Sequence, residues 1–359
     1  MTQPKTDDQR AMTGTATLVT ATETSTPEKK RSFSLKQLVK ILVSLGMIAF
    51  VLQKTGLERT FAELSRANLW YIPIGVAIYL ASQVISTYRW QFLAEALGIK
   101  RPLRELYDYY LIGMFCNQFL PGAIGGDAVR MFYLSRATGR RKRETLLTIL
   151  AERGVGLVAL LMLTAGLCLL PDIAAIDWTL KVPVPFFSTV NWDIRLTLLL
   201  MALCGLVCYG ILWRLPLEQW ANRFPKLDLL TQAKVYWANL PLLGRSVGIS
   251  LVVQILMIGM HLLVAQALHI QLSPLFIAVV YGMVALTSVI PLTQGGLGVR
   301  EFAYQALLMR AGLPDHTALA FGVYWLLIST LTSLSGGLVM LKGHYTPPNP
   351  NEADTAEAL

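Results

Sequence analysis

The sequence is poor in charge. Only 15% of its 359 residues are Asp, Glu, Lys or Arg, while 54% are hydrophobic. Soluble domains carry about 25% charged residues, so much of this chain does not face water. No polar stretch is long enough to bury a core, which excludes a soluble catalytic domain. Cysteine and histidine are scarce, four of each. Cys116, Cys168, Cys204 and Cys208 all lie in apolar stretches without metal-ligand spacing, and no disulfide framework is expected. Cys204 and Cys208, one helical turn apart, read as packing. The histidines are scattered, so no nucleophile–base or metal constellation is legible. A Gly-x4-Gly-Lys-Ser/Thr loop is missing, so any transport is driven by a gradient or a partner, or is passive. The N-terminus lacks the apolar core of a signal peptide. Residues 1–36 and 343–359 read as disordered cytoplasmic tails flanking a membrane domain over 37–342. Neither a cofactor, a metal nor nucleic acid is expected.

What the chain does have is apolar blocks of about 18–25 residues, the length that crosses a hydrocarbon core of roughly 30 Å. Full spans are expected at about 37–53, 69–93, 145–170, 196–213, 247–268 and 317–341. Two shorter stretches, 105–143 and 274–310, are each broken by Gly and Pro. The net charge of +9 is carried by loops, which is the pattern of the positive-inside rule. Arg89, Lys100, Arg101 and Arg104 suit the inside, and so does the run Arg130, Arg136, Arg140, Arg141, Lys142 and Arg143. A single crossing between these two groups would separate them. A re-entrant hairpin resolves the conflict, because non-helical backbone is tolerated at membrane depth when it is buried in protein or lines a cavity. The expected fold is all-α, with six full transmembrane helices and two re-entrant helical hairpins. Both termini are cytoplasmic. The halves, about 37–171 and 196–342, form an inverted repeat, because each has an odd number of crossings. The 171–195 connection reads as a mixed loop, and 216–245 as an amphipathic basic connector.

The two breaks match. Pro121, Gly125, Gly126, Val129, Arg130 and Phe132 recur as Pro291, Gly295, Gly296, Val299, Arg300 and Phe302 at one offset of 170 residues. Paired, interrupted helices in corresponding positions point to a transporter site. Pro ends the incoming half-helix and Gly-Gly permits a tight turn. The outgoing helix then starts inside the membrane with unpaired N–H groups and a positive dipole end, which attract an anion such as phosphate. Asp127 is placed to cap the first outgoing helix. Arg130 and Arg300 are costly in the membrane and call for an anionic partner: Asp127, Glu152, Glu301 or a lipid headgroup.

The Pro-Gly-x-x-Gly-Gly-Asp-x-x-Arg stretch at Pro121–Arg130, the Glu152-Arg153-Gly154 that follows and the Gly-Gly-Leu-Gly-Val-Arg-Glu at Gly295–Glu301 resemble the flippase-like transmembrane region of lysylphosphatidylglycerol synthases. The resemblance covers about 37–342. It implies translocation of a lipid. The aminoacyl-transferase domain of the synthases does not follow Lys342, so synthase activity is not implied.

The candidate substrate-binding residues are therefore Gly125, Gly126, Asp127, Arg130, Glu152, Arg153, Gly295, Gly296, Arg300 and Glu301. Each has a plainer reading. The arginines snorkel, the glycines pack helices, Asp127 only caps, and Glu152 pairs with Arg153 near the interface. Asn117, Gln118, Gln83 and Gln254 read as interhelical hydrogen bonders. His261 is either a proton relay or a packed histidine bonded to a neighbour. The leading expectation is a translocase of the cytoplasmic membrane for a phospholipid or a lipid-linked anionic headgroup. A partner lipid-modifying enzyme or glycosyltransferase is compatible with it. A membrane enzyme acting on headgroups, a small-anion carrier or channel, and a scaffold are the alternatives.

Overall fold

A computed structural model describes residues 57–119, 125–182, 190–214, 228–287 and 298–342. The expected first span at 37–53, both tails, Pro121, Gly295 and Gly296 lie outside the described residues. Among the described residues twelve α-helices run in order: α1 Leu57–Arg66, α2 Tyr71–Ala96, α3 Leu103–Phe119, α4 Gly126–Thr138, α5 Lys142–Cys168, α6 Pro171–Ala174, α7 Ile194–Arg214, α8 Asp228–Ala238, α9 Leu240–Ala267, α10 Pro274–Thr287, α11 Val299–Leu308 and α12 Asp315–Leu341. A 3-10 turn, Met309–Ala311, links the last two.

Five of these helices, α2, α5, α7, α9 and α12, are long and apolar enough to cross a membrane. At 1.5 Å per residue, the 26 to 28 residues of α2, α5, α9 and α12 reach about 40 Å. That exceeds a hydrocarbon core, so their ends extend to headgroup level. Large apolar side chains stay exposed along them. Leu200, Leu203, Val207 and Ile211 of α7, Val252 and Ile255 of α9 and Leu338 of α12 are all outward. In water so much apolar surface would drive association; against lipid tails it is the ordinary state.

Local signals set the helix ends. The Asn239 side chain accepts from the Leu242 N–H at 3.1 Å and caps α9. As a result α9 starts before the expected boundary and takes Arg245 into the helix. Gly139, with φ at 67°, stops α4 in the left-handed conformation that glycine tolerates. At α11 the Glu301 side chain accepts from the Gly298 N–H at 2.6 Å, half of a capping box. Asp127 does not cap α4. The N-cap is Gly125, without a side-chain bond, and Asp127 turns to arginines instead. Where it is described, the 171–195 connection is not a plain loop. It forms α6 and an antiparallel pair of strands, β1 Thr179–Val182 and β2 Val190–Asp193. Trp178, fully buried, stacks on Phe276 and fixes its base to α10.

The 170-residue offset extends from the breaks to whole elements. It carries α2, α3, α4 and α5 onto α9, α10, α11 and α12, with every helix end within three residues. Packing obeys the same correspondence. The equivalent helices α2 and α9 pack on each other, α3 packs on α12, and α10 packs on α5. Both exchanged crossings are glycine contacts. A Cβ on Gly336 would collide with the Leu111 carbonyl of α3, and one on Gly282 with the Thr164 hydroxyl of α5. Small residues let helices approach where apolar burial gives no drive, because lipid is equally apolar. Within the first half, α3 and α4 fold back on each other. Tyr109 stacks on Tyr133 at 5.4 Å, and Gly113 meets Gly126.

A candidate anion site between the repeats

The start of α4 places Asp127 and Arg130 one turn apart, over the middle of α5. There Glu152, 2% exposed, lies between two arginines. Arg89 of α2 contacts one carboxylate oxygen closely, and Arg130 Nη1 stands 3.3 Å from the other. Arg89 also donates to Ser250 Oγ of α9 at 2.6 Å. Arg153 does not pair with its neighbour Glu152. It faces the other way and donates to Asp127 at 2.8 Å, while Asp127 sits 3.4 Å from Arg130.

Aromatic faces complete the cage. The Arg130 guanidinium carbon lies 4.1 Å from the ring centres of both Trp90 and Tyr110. Trp90 is itself fixed by a hydrogen bond from its indole N–H to Thr148 Oγ1 at 3.0 Å. Cation–π contact of this kind contributes about 0.5–2 kcal/mol and leaves in-plane N–H groups free. Asn117 accepts from the Gly126 N–H at 2.5 Å and satisfies one of the orphan donors at the start of α4.

The second half presents a related but different arrangement. Arg300 lies in the first turn of α11, as Arg130 does in α4, and again faces a tryptophan, Trp325, at 5.6 Å. Its acid is its neighbour Glu301, 3.5 Å away. Trp325 packs on Tyr79 at 5.2 Å, which gives this second site an aromatic wall of its own. Behind it, His261 is 1% exposed; its Nδ1 donates to the Met257 carbonyl at 2.7 Å. That leaves Nε2 to accept from the Tyr304 hydroxyl at 2.5 Å. Both ring nitrogens are used within the helix layer, which is the packed reading of His261. Tyr281 donates to Gln254 at 2.5 Å, and Gln254 lies 3.5 Å from the Gly156 carbonyl. A polar seam thus joins α5, α9 and α10.

Three buried donors of these sites make no hydrogen bond among the described residues. They are the Nε groups of Arg89, Arg130 and Arg300, the last of which lies 3.5 Å from Glu301. A buried donor without an acceptor costs about 1–3 kcal/mol, more when charged. Buried arginines with idle N–H groups can donate to a carboxylate or phosphate.

Of the candidate residues, the structure brings Asp127, Arg130, Glu152 and Arg153 into one cluster and puts Gly125 and Gly126 at its edge. Arg300 and Glu301 form a second cluster. Sequence reading missed Arg89, which it counted as a loop charge. Arg89 is 5% exposed and is the closest partner of Glu152. The available signal was its position inside an apolar span. Gln254 acts between helices as expected, and so does Gln118, which donates to Thr330 at 3.3 Å. The free cysteines Cys204 and Cys208 are exposed on α7.

Comparison with known proteins adds the following. The family model described as the lysylphosphatidylglycerol synthase TM region matches residues 37–336. A UPF0104 membrane protein of Pyrococcus horikoshii is 22% identical, over 86% of this chain and 97% of the relative. One from Methanocaldococcus jannaschii is 20% identical, over 85% and 94%. A third, from Methanothermobacter thermautotrophicus, is 24% identical, over 80% and 90%.

Proposed function

Because the chain belongs to the family of the lysylphosphatidylglycerol synthase TM region, we propose that it is a lipid translocase, moving a phospholipid or a lipid-linked anionic headgroup across the cytoplasmic membrane. In this reading α3–α4 and α10–α11 are re-entrant hairpins of an inverted repeat, joined by six full spans with both termini cytoplasmic. The hairpins line a polar path for the headgroup while acyl chains stay in lipid. The 170-residue correspondence of the elements supports this arrangement, since interrupted helices in matching positions of inverted halves are where such carriers hold substrate.

One observation carries the reading. Arg130 and Arg300 occupy the same place in two helices that start after Pro/Gly breaks, each lies over a tryptophan, and each keeps a buried Nε that makes no hydrogen bond among the described residues. At each arginine a phosphate would meet a guanidinium group beside a helix N-terminus. Gly125, Gly295 and Gly296 then give the headgroup close access to backbone N–H groups, while Gly126 packs on Gly113 and gives its N–H to Asn117. A lipid-modifying enzyme or glycosyltransferase would be a fitting partner, supplying or consuming the lipid on one side.

The test is reconstitution in liposomes, following headgroup-labelled phospholipid and polyprenyl phosphate across the bilayer. Movement by the native protein is expected, with loss of tenfold or more in Arg130→Ala and Arg300→Ala that remain folded, taking roughly 1.4 kcal/mol per decade. Chemical alteration of the lipid without movement would point to an enzyme instead. Movement of small anions alone would point to an anion carrier, and neither activity to a scaffold.

A further inference from the structure

The Asp127–Arg153 pair is built like a bound anion. Arg153 Nη2 donates to Asp127 Oδ1 at 2.8 Å, and its Nε closes on Oδ2. This two-pronged grip is the one a guanidinium makes with carboxylate and phosphate alike. From the other side Arg130 Nη1 approaches the same Oδ1 at 3.4 Å. Asp127 also lies in the first turn of α4, where the helix dipole favours an anion. Its carboxylate therefore fills the place a phosphate would take, between two guanidinium groups at a helix start.

The pair is the exposed part of its cluster. The Arg130 and Glu152 side chains are 4% and 3% exposed, against 31% for Asp127 and 54% for Arg153. Of the carboxylates touching Arg130, only Asp127 is open to the surface, so an incoming anion reaches Arg130 through the place of Asp127. Arg153 is the twelfth of the 27 residues of α5, about 16 Å from its start and about 22 Å from its end. In a spanning helix that is near the middle of the bilayer, where a charge against lipid tails is costly. Gly154 beside it is exposed, and a methyl group there would meet no atom within 4 Å among the described residues. The second half lacks the pair. At the 170-residue offset Leu297 stands for Asp127 and Val323 for Arg153, yet α11 packs on α12 as α4 packs on α5. A hairpin of this fold holds its long helix without such a bridge.

Resting on the reading of this cluster as the headgroup site, we propose that Asp127 is a resident stand-in for the ligand's phosphate and that Arg153 exchanges one for the other. In the empty site Asp127 satisfies Arg153 and part of Arg130. An arriving phosphate ester takes the grip of Arg153, Asp127 is released, and Arg130 gives the phosphate its idle Nε. The exchange never leaves Arg153 bare inside the bilayer. It also makes the phosphate, rather than the net charge of the headgroup, the feature recognised.

Native mass spectrometry of the full chain in detergent, with equimolar phosphatidylglycerol, phosphatidylcholine and diacylglycerol of matched chains, tests this. Asp127→Asn keeps the shape and removes the competing charge. It is expected to raise retention of both phospholipids by about tenfold, the worth of one charge-assisted hydrogen bond, and to leave diacylglycerol unchanged. Asp127→Glu keeps the charge and native retention. Arg153→Gln lowers retention of both phospholipids, and it decides alone where Asp127→Asn does not fold, as read from its melting transition. A gain confined to phosphatidylglycerol overturns the proposal, because it reports repulsion through space. A gain shared by diacylglycerol overturns it as loosened packing, and so does no gain in either phospholipid or native retention by Arg153→Gln. Excess water-soluble glycerophosphoglycerol separates the sources of the phosphate ester. Failure to displace bound phosphatidylglycerol supports a lipid headgroup, whereas full displacement keeps the exchange and ends the lipid reading. A protein that moves no lipid in liposomes yet gains phospholipid in Asp127→Asn ends the translocase reading alone, and one that moves lipid without that gain ends the exchange alone.

Discussion

At the residue scale the decisive feature is one acid between two arginines. Removing two ions from water costs several kcal/mol each, and the Arg89–Glu152–Arg130 contacts recover that only as a set. Glu152→Gln keeps the shape and removes the charge, leaving two buried guanidinium groups against a neutral amide. A loss of about 3–5 kcal/mol in stability is expected, read as a lowered unfolding midpoint in detergent. The double variant Arg89→Met with Glu152→Met restores part of it, because matched apolar groups leave no orphaned charge on Arg89 or Glu152. A double variant no more stable than Glu152→Gln would show that these residues do not act as a pair. Arg130 and Arg300 were legible in the sequence, since each follows the same Pro/Gly pattern. Arg89 was not, because a single arginine near a span end looks the same whether it snorkels or turns inward. Ser250, its partner on α9, sits among apolar residues with nothing in the local pattern to mark it. Only the crossing of α2 and α9 brings the two together.

At the element scale the long spans were readable because twenty apolar residues leave few options. The pair of β-strands was not. Its strands are four residues each, too short for alternation to stand out, and its stability comes from tertiary anchors such as Trp178 on Phe276 and Arg310 donating to the Asp177 carbonyl at 3.0 Å. The cap on α4 was misassigned for a related reason. Asp127 next to Gly126 fits an N-cap by composition, but Arg153 and Arg130 compete for its carboxylate, and charge-assisted bonds win over a cap worth about 1 kcal/mol. The exchanged crossings give the sharpest test of the architecture. Gly282→Ala forces a methyl against the Thr164 side chain, and a cost of about 1–3 kcal/mol is expected. Thr164→Ala in the same protein clears the hydroxyl and recovers a large share, an interaction that a double-mutant cycle on unfolding midpoints measures. Additive losses would mean that α10 and α5 do not meet at this point.

At the scale of the whole molecule, charge and symmetry make one argument. Among the described residues the first cluster sets Arg89, Arg130 and Arg153 against Asp127 and Glu152, so a carrier built on it is positive when empty and neutral when loaded with a singly charged headgroup, and it feels the membrane potential on only one limb of its cycle. Moving one full charge through 100 mV is worth about 2.3 kcal/mol, so an inside-negative potential favours the empty site facing the inner leaflet. Uptake of a singly charged lipid from that leaflet is then accelerated, by at most about fifty-fold at 100 mV, and reversing the potential slows it. Valinomycin-set potassium potentials across proteoliposomes, with initial rates of phosphatidylglycerol movement at each sign, measure this directly. Asp127→Asn steepens the dependence by leaving a larger charge on the empty limb, and Arg130→Gln flattens it. Rates that ignore the sign of the potential would place the site at a fixed depth in the field. The two repeats would then not exchange its exposure between leaflets, and the headgroup would move past a stationary site.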